Sequence, residues 1–523
     1  MPSVKKLLLI NPPGKCLIRK IDGSIVERKH CQPPLGLAYL GAACLRAGYA
    51  VEILDILAEG YESERLSEHF IIYGLDTPAV LERIRAAKPD LIGVSILFSH
   101  LASECYAIIR AIREAFPHIL IVVGGHHPSS MPNRVMENPD IDFVMSGECD
   151  TTFPQLLEAI NGRGDFGAIR GLHYRDGGKV VDTMAGVTPV VAGKEFNYYL
   201  RKDGPNPQDV DSLQYPAWDL LKMHLYWESE VRMGGGNVMR ERYLPMVTTR
   251  GCPHTCFFCT SPLMGGYKGY RKRELEDVYA EIRWAVQKYG IQEIQFLDDN
   301  FFVSVARVKE LLRHLAEEFG DIVFSVPAGT EANALDDEMI ELMAKANFYR
   351  VFLALEAGDQ SIQNEQIDKH VNLARVPALV AKCKEAGLEV RGYFMLGFPN
   401  ETRAQMIHTA EFAMSLDLDD FALSVVSPLP GTPLFDQCIA ENLFVNDFDV
   451  NDIRYSVSHI KMADITPDEL EAIRTGYWQE HKARKLAEGP KHKDAHKIFT
   501  TVEEFSNLGF KTVIPKPPRG VAS

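Results

Sequence analysis

Three thiols fall within eight residues in the stretch TTRGCPHTCFFCTSP, residues 248–262: Cys252, Cys256 and Cys259, spaced C-x3-C-x2-C. A disulfide needs two cysteines, and a structural four-coordinate metal needs four ligands. Three thiolates on one loop suit a compact iron–sulfur cluster, and on a four-iron cluster they leave one iron open to another ligand. Zinc with His254 as fourth ligand is the alternative that the spacing leaves open. Structural zinc sites more often draw paired ligands from two separate knuckles, and this sequence holds no second one. The other seven of the ten cysteines are scattered, which predicts thiols in a reducing cytoplasm rather than a disulfide framework.

Two further groups could do chemistry. Carboxylates close apolar runs at FLDDN (Asp298, Asp299, then Asn300) and at YRVFLALE (Glu356). The plain reading of the first pair is a solvated loop or a helix cap, but an unpaired carboxylate at the end of a buried strand is costly. Small or polar residues also end three apolar runs earlier in the chain: Ser95 with Leu97, Gly124-Gly125, and Ser146-Gly147-Glu148. Taken singly, each reads as a tight turn.

Stepping outward, apolar runs at 6–13, 51–57, 90–97, 119–125 and 141–147 mostly alternate with helical stretches such as 34–48 and 102–116. That pattern predicts a doubly wound parallel sheet, whose ligands sit at the carboxyl ends of its strands. A hairpin is expected over 169–183 around Asp176-Gly177-Gly178, then a linker over 190–240 pinned by Tyr215 and Trp218. From 243 the alternation restarts, with strands at 243–249, 291–299, 322–329, 349–358, 389–399 and 421–432. Six strand–helix units predict a partial barrel of the TIM type, with its chemistry at the carboxyl ends of the strands. The cysteines lie just past the first of those ends. The expected division is 1–189, 190–240, 241–440, and a helix-prone tail at 441–523 that either caps the barrel mouth or lies in solvent.

These motifs resemble a known family. The order LIGVSILFS, helix, ILIVVGGHHPSS is similar to the Rossmann-like cobalamin-binding module of B12 enzymes. C-x3-C-x2-C with Phe258 before the last cysteine resembles the radical S-adenosylmethionine (SAM) enzymes, as do FLDDNF, LALEAGDQ, FMLGFPNET and SPLPGTPLF at successive strand ends. Module and barrel together resemble the cobalamin-dependent (class B) radical SAM methyltransferases. ILDILAEGYE and IIYGL are more weakly similar to the phosphonate methylases of the fosfomycin and phosphinothricin pathways.

The resemblance implies a [4Fe–4S] cluster on the three cysteines, SAM and methylcobalamin. Ser95, Leu97, Gly124, Gly125, Ser146, Gly147 and Glu148 would line the cobalamin site. Glu356 would bind the SAM ribose or amino group, Asp298 to Asn300 would line its pocket, and Leu396 and Pro428 would flank the adenine or the reaction chamber. The implied activity is methylation of an unactivated carbon of a small natural-product or phosphonate-like molecule. A 5′-deoxyadenosyl radical takes the hydrogen, methylcobalamin gives the methyl group, and a flavodoxin- or ferredoxin-type donor supplies electrons. Where the family carries Asp-x-His-x-x-Gly, this chain has Asn11-Pro12-Pro13-Gly14. The lower face of cobalt is therefore left to water, to nothing, or to a side chain such as His100, His126 or His127. A non-methylating radical rearrangement and a non-catalytic cobalamin or cluster sensor are the competing readings.

Composition narrows the classes. The chain has 523 residues, is 46% hydrophobic and 24% charged, with net charge −15 and pI near 5.6, as expected of a multidomain acidic enzyme that does not coat nucleic acid. The apolar run in MPSVKKLLLINPPGK is about five residues, short of the ~7–15 of a secretory h-region, and no run approaches the ~18 residues of a membrane span.

Overall fold

The computed structural model describes residues 3–17, 29–67, 70–184, 209–227, 238–261, 270–445 and 448–488. Among them, no helix is long and apolar enough to cross a membrane.

The first unit is a seven-stranded sheet. Strands β1 (Lys6–Asn11), β3 (Ala50–Asp55), β6 (Leu91–Ser95), β7 (Leu120–Gly124) and β8 (Phe143–Met145) run parallel, in the spatial order β3-β1-β6-β7-β8. Counting the parallel strands alone, this is the 2-1-3-4-5 winding. It reverses direction between β1 and β6, where the carboxyl ends splay and leave a crevice. The continuous apolar runs follow from burial on both faces. Leu9, Leu91 and Val122 pack on one side toward helix Leu35–Arg46, and Leu8, Ile92 and Val123 on the other toward helix Ala102–Ala115. The expected hairpin is present as β9 (Leu172–Asp176) and β10 (Lys179–Asp182), turning through Gly177 (φ 55°) and Gly178 (φ 81°), and it extends the sheet beside β8. A separate antiparallel ribbon comes from β2 (Gly14–Leu17), β4 (Glu64–Leu66) and β5 (Phe70–Tyr73).

The second unit holds six parallel strands. β11 (Tyr243–Met246), β14 (Glu293–Phe296) and β15 (Val323–Ser325) form one half, and β16 (Arg350–Glu356), β17 (Glu389–Leu396) and β18 (Asp420–Val425) the other. Parallel bridges Phe324–Phe348 and Thr330–Leu353 join the halves. Between the first two strands a short ribbon, β12 (Thr249–Arg250) with β13 (Arg271–Lys272), carries the chain into and out of the cysteine loop. At the amino ends of the strands, Arg350, Glu389 and Arg391 form buried ion pairs (2.7 Å each), so charge rather than hydrocarbon fills that end of the barrel.

The linker residues that the structure describes, 209–227, form a strap bound to both units. Trp218 is fully buried, and Ala217 N–H bonds the Ala38 carbonyl of the first unit at 3.0 Å. Tyr226 donates to Asp55 at the end of β3. On the barrel side, the Tyr215 hydroxyl reaches Asp277 Oδ1 (3.1 Å) and its ring lies 5.4 Å from that of Trp284. The stretches 190–208 and 228–237 lie outside the described residues.

The tail divides into two parts. Helix Pro467–Glu488 lies along β18, with Arg474 on the Leu423 carbonyl (2.7 Å) and Lys482 on Asp420 (2.6 Å), so it covers the barrel's last strand rather than its mouth. The preceding segment does reach the mouth, through Val425 N–H to the Tyr455 carbonyl (2.7 Å) and Ser427 to the Arg454 carbonyl (3.0 Å). Residues 489–523 lie outside the described residues.

Candidate active site

The cysteine loop is held from beneath by the end of the second barrel strand. Asp298, 1% exposed, accepts from Thr248 N (3.1 Å), Thr248 Oγ1 (2.9 Å) and Thr249 Oγ1 (2.5 Å). Asp299 accepts from Gly251 N (2.9 Å) and Ser261 Oγ (2.8 Å). The aspartate pair expected to line a cofactor pocket therefore braces the two flanks of the loop, because loop amides and hydroxyls at a barrel mouth need acceptors. Burial pushes the Asp298 carboxyl up despite its hydrogen bonds. Asn300 bridges from Phe302 N (3.1 Å) to Glu331 (3.0 Å). Phe258 packs against Phe398, ring centroids 6.1 Å apart, which ties the loop to the end of β17.

Cys252, Cys256 and Cys259 are half-buried and near enough to raise one another's pKa. Burial first, then the neighbouring thiols, push Cys252 up to about 11 and Cys256 up to about 12. Such thiols ionise only when a cation takes them, as a metal cluster does. His254, the candidate fourth zinc ligand, is instead hydrogen-bonded to Glu331 (3.1 Å), and that carboxylate raises its pKa. Among the described residues no three His, Cys, Asp or Glu side chains are placed to hold a single metal ion.

Glu356 ends β16 with a left-handed backbone, φ 61°, beside a register shift, a conformation uncommon for a residue with a side chain. Its carboxylate meets Lys369 Nζ at 2.6 Å. Burial opposes the charge on Lys369, but Glu356, Cys256 and Cys259 outweigh it and raise the ammonium pKa. Lys369 and Glu331 were missed from sequence because neither ends an apolar run. Leu396 lies in the outer core, leaving only its backbone toward the mouth, where Glu401 takes the amides of Gly397 (2.7 Å) and Phe398 (3.1 Å). Pro428 is buried, next to Leu429 and Pro430, which reach the interdomain cavity described below.

In the first unit a cavity of about 260 Å³ opens at the switch point, between the strand ends and helix Leu35–Arg46. Ser95, Leu97, Gly124, Gly125, Gly147 and Glu148 all line it. Ser146 does not: its hydroxyl turns to His173 (3.2 Å) and its N–H to Gly171. Two glycines keep the walls apart. A Cβ on Gly93 would come within 2.9 Å of Leu9 Cδ2, and one on Gly125 (φ 115°) within 2.5 Å of the Ile96 carbonyl. An apolar slot walled by glycine backbone fits a flat ring, as the nucleotide tail of cobalamin presents.

A second cavity, about 100 Å³, lies between the units, bounded by Leu97, His100 and His126 on one side and Thr260, Leu429 and Tyr455 on the other. His126 lines both cavities. His127 faces away, its two ring nitrogens engaged by Tyr106 (3.0 Å) and Ser99 (3.0 Å), and burial drives its pKa down to about 4.

Residues 22–157 match the B12 binding domain family and residues 246–413 the Radical SAM superfamily. The chain is 30% identical over 446 residues to an uncharacterized methyltransferase of Pyrococcus horikoshii, covering 85% of each. It belongs to the cobalamin-dependent radical SAM methyltransferases. Cytidylyl-2-hydroxyethylphosphonate methyltransferase of Streptomyces wedmorensis is 28% identical, over 84% of this chain and 82% of that one. Among solved structures, the methyltransferase TsrM of Kitasatospora setae superposes with a TM-score of 0.65 at 18% identity, covering 96% of this chain and 92% of that one. The cobalamin-dependent enzyme OxsB gives 0.68 at 16%, covering 97% and 71%. At that identity the superpositions speak for the fold. This methyltransferase therefore uses a [4Fe–4S] cluster, SAM and cobalamin.

Proposed function

We propose that this methyltransferase transfers a methyl group to an unactivated carbon of a small anionic molecule, phosphonate-like in chemistry, held at the seam between its two units. The observation that carries the reading is the cavity shared by the strand ends of the first unit and the cysteine loop side of the second. Two reacting atoms must come within roughly 3–3.5 Å, so the two cofactor sites have to open onto one chamber. When bound, the cluster with SAM supplies hydrogen abstraction and cobalamin supplies the methyl group.

The chain's own part is placement. In this reading residues 1–189 hold cobalamin, 190–240 link the units, 241–440 carry the radical chemistry, and within 441–523 the stretch around Ile453 and Tyr455 completes the chamber wall. Cys252, Cys256 and Cys259 hold the cluster, and Asp298, Asp299 and Asn300 hold the loop that carries them. Glu356 and Lys369 separate to take the ammonium and carboxylate of SAM, each replacing one partner with another of the same charge. Ser95, Leu97, Gly124, Gly125, Gly147 and Glu148 shape the slot for the cobalamin tail. An anionic substrate group is supported by two cations just behind the wall of the seam cavity: Lys15, which bonds the carbonyl of the cavity-lining His100 (3.3 Å), and Arg454, between the cavity-lining Ile453 and Tyr455. Both lie against the Phe70 ring, at 4.1 and 5.1 Å. Electrons come from a flavodoxin- or ferredoxin-type donor, and a reducing cytoplasm suits the ten free thiols.

The test uses SAM with a deuterated methyl group, candidate phosphonates and mass spectrometry. Methyl transfer gives labelled product with both 5′-deoxyadenosine and S-adenosylhomocysteine. 5′-Deoxyadenosine alone means a rearrangement, and neither product means a sensor.

A further inference from the structure

The floor of the 260 Å³ cavity and the root of the cysteine loop share one side chain. Arg250 lines the cavity with Tyr39, Glu148 and Asp150, and stands two residues before Cys252. Its guanidinium grips Asp150 with two prongs, Nη1 to Oδ2 at 2.7 Å and Nη2 to Oδ1 at 3.2 Å, and reaches Glu148 at 3.4 Å. Arg271, paired with Arg250 across the β12–β13 ribbon, holds Glu148 at 2.6 and 2.8 Å. Arg250 also lies 5.1 Å from the centre of the Tyr39 ring, on the helix that walls the cavity. All four charged side chains are 10–16% exposed, so solvent screens them little.

The carboxylates come from the loop after β8, in the first unit, and the guanidiniums from the ribbon that feeds the cysteine loop, in the second. From the barrel side, Asp299 fixes the neighbouring Gly251 N. The stretch from Thr249 to Cys252 is thus clamped between the barrel and the wall of the cobalamin slot.

We infer that Arg250 couples the two cofactor sites: filling the cobalamin slot orders the cysteine loop, and an occupied cysteine loop tightens the slot. The inference rests on the reading that this cavity takes the cobalamin tail. A ring pressed against Tyr39, Glu148 and Asp150 restrains the carboxylates that grip Arg250, and a cluster on Cys252 restrains Arg250 from the other end. Whatever one site does to the other's affinity must be returned in equal measure. Arg250 is here a positioning residue that touches the wall of one site and the backbone of the other.

The experiment titrates hydroxocobalamin into the full chain, followed by its absorption spectrum, with the iron–sulfur cluster reconstituted and again after a chelator has stripped it. In the wild type, cobalamin binds about tenfold tighter with the cluster present, within the range typical of coupled sites. Arg250→Lys keeps the charge but not the two-pronged grip, and the ratio falls toward one while cobalamin still binds. Glu148→Gln, on the other side of the clamp, gives the same collapse and carries the test should Arg250→Lys fail to fold. In the wild type alone, bound cobalamin also slows loss of cluster iron to the chelator. A wild-type ratio of one, or a ratio unchanged in either folded variant, overturns the coupling. Absence of cobalamin binding in both cluster states sinks the functional reading and this inference together, whereas binding without coupling sinks only the inference.

Discussion

The two candidate cofactor sites are built by opposite means. The slot in the first unit is made by what is left out: Gly93, Gly124 and Gly125 line it without a side chain, and its charged groups gather in the Glu148, Asp150 and Arg250 clamp. The mouth of the barrel is made by what is held in place. Asp298, Asp299, Glu331, Glu356, Lys369 and Glu401 each engage a named partner around one loop or strand end. A large preformed cofactor needs shape, and a loop that must present three thiolates to a cluster needs a rigid scaffold. The first kind of site is sensitive to added volume, and the second to lost charge or lost acceptors.

The largest expected effect lies at the cysteines. Cys252→Ala, Cys256→Ala or Cys259→Ala is expected to abolish SAM cleavage while cobalamin remains bound, and the wild type reconstituted without oxygen should hold about four irons per chain. Iron analysis with product chromatography decides this, and stoichiometric zinc that resists replacement would refute it. The next largest effect lies on the other side. Gly125→Val places a Cβ where only 2.5 Å separates it from the Ile96 carbonyl, at a backbone angle that a β-branched residue does not adopt. Cobalamin affinity should fall at least tenfold in a spectral titration, with cluster content unchanged.

Lys369→Met removes the partner of Glu356 and a charge beside the cysteines. The KM for SAM should rise about tenfold, the scale of one lost charge-assisted contact, with cobalamin affinity intact. A change in cobalamin affinity instead would mean that the coupling between the two sites runs through Lys369 as well as through Arg250. The cobalt centre sharpens the contrast further. With no histidine in the loop after β1 and His127 engaged at both nitrogens, the cob(II)alamin EPR spectrum should lack splitting from an axial nitrogen. Nitrogen splitting that disappears in His126→Ala would place a ligand where shape alone is expected. The smallest effect belongs to the strap: Tyr215→Phe loses the bond to Asp277 and should cost about 1 kcal/mol, read as a slight fall in thermal midpoint with both cofactors still bound.

Much of this architecture is legible in the chain because burial on both faces forces continuous apolar strands, and their ends fall where Ser95, Gly124, Cys252 and Glu356 stand. The hairpin turn at Gly177-Gly178 is legible for the same local reason. Partnership is not. Asp298 and Asp299 read as cofactor contacts from position alone, and their partnership with the amides and hydroxyls of the cysteine loop is visible only once the fold brings these together. Ser146 reads with its neighbours as cavity lining, yet the hairpin placed beside β8 supplies His173 and turns it away. Glu331, Lys369 and Arg250 carry no local signal, since each acquires its meaning from a residue 13 to 100 positions away that only the folded chain brings near.

The segment after β18 has one more consequence. Ile453 and Tyr455 wall the seam cavity from outside the six strands, with Tyr455 close enough to Cys259 to feel its charge. A lineage can rewrite Ile453 and reshape the seam cavity while the three cysteines, the glycine-walled slot and the Glu356–Lys369 pair keep their residues.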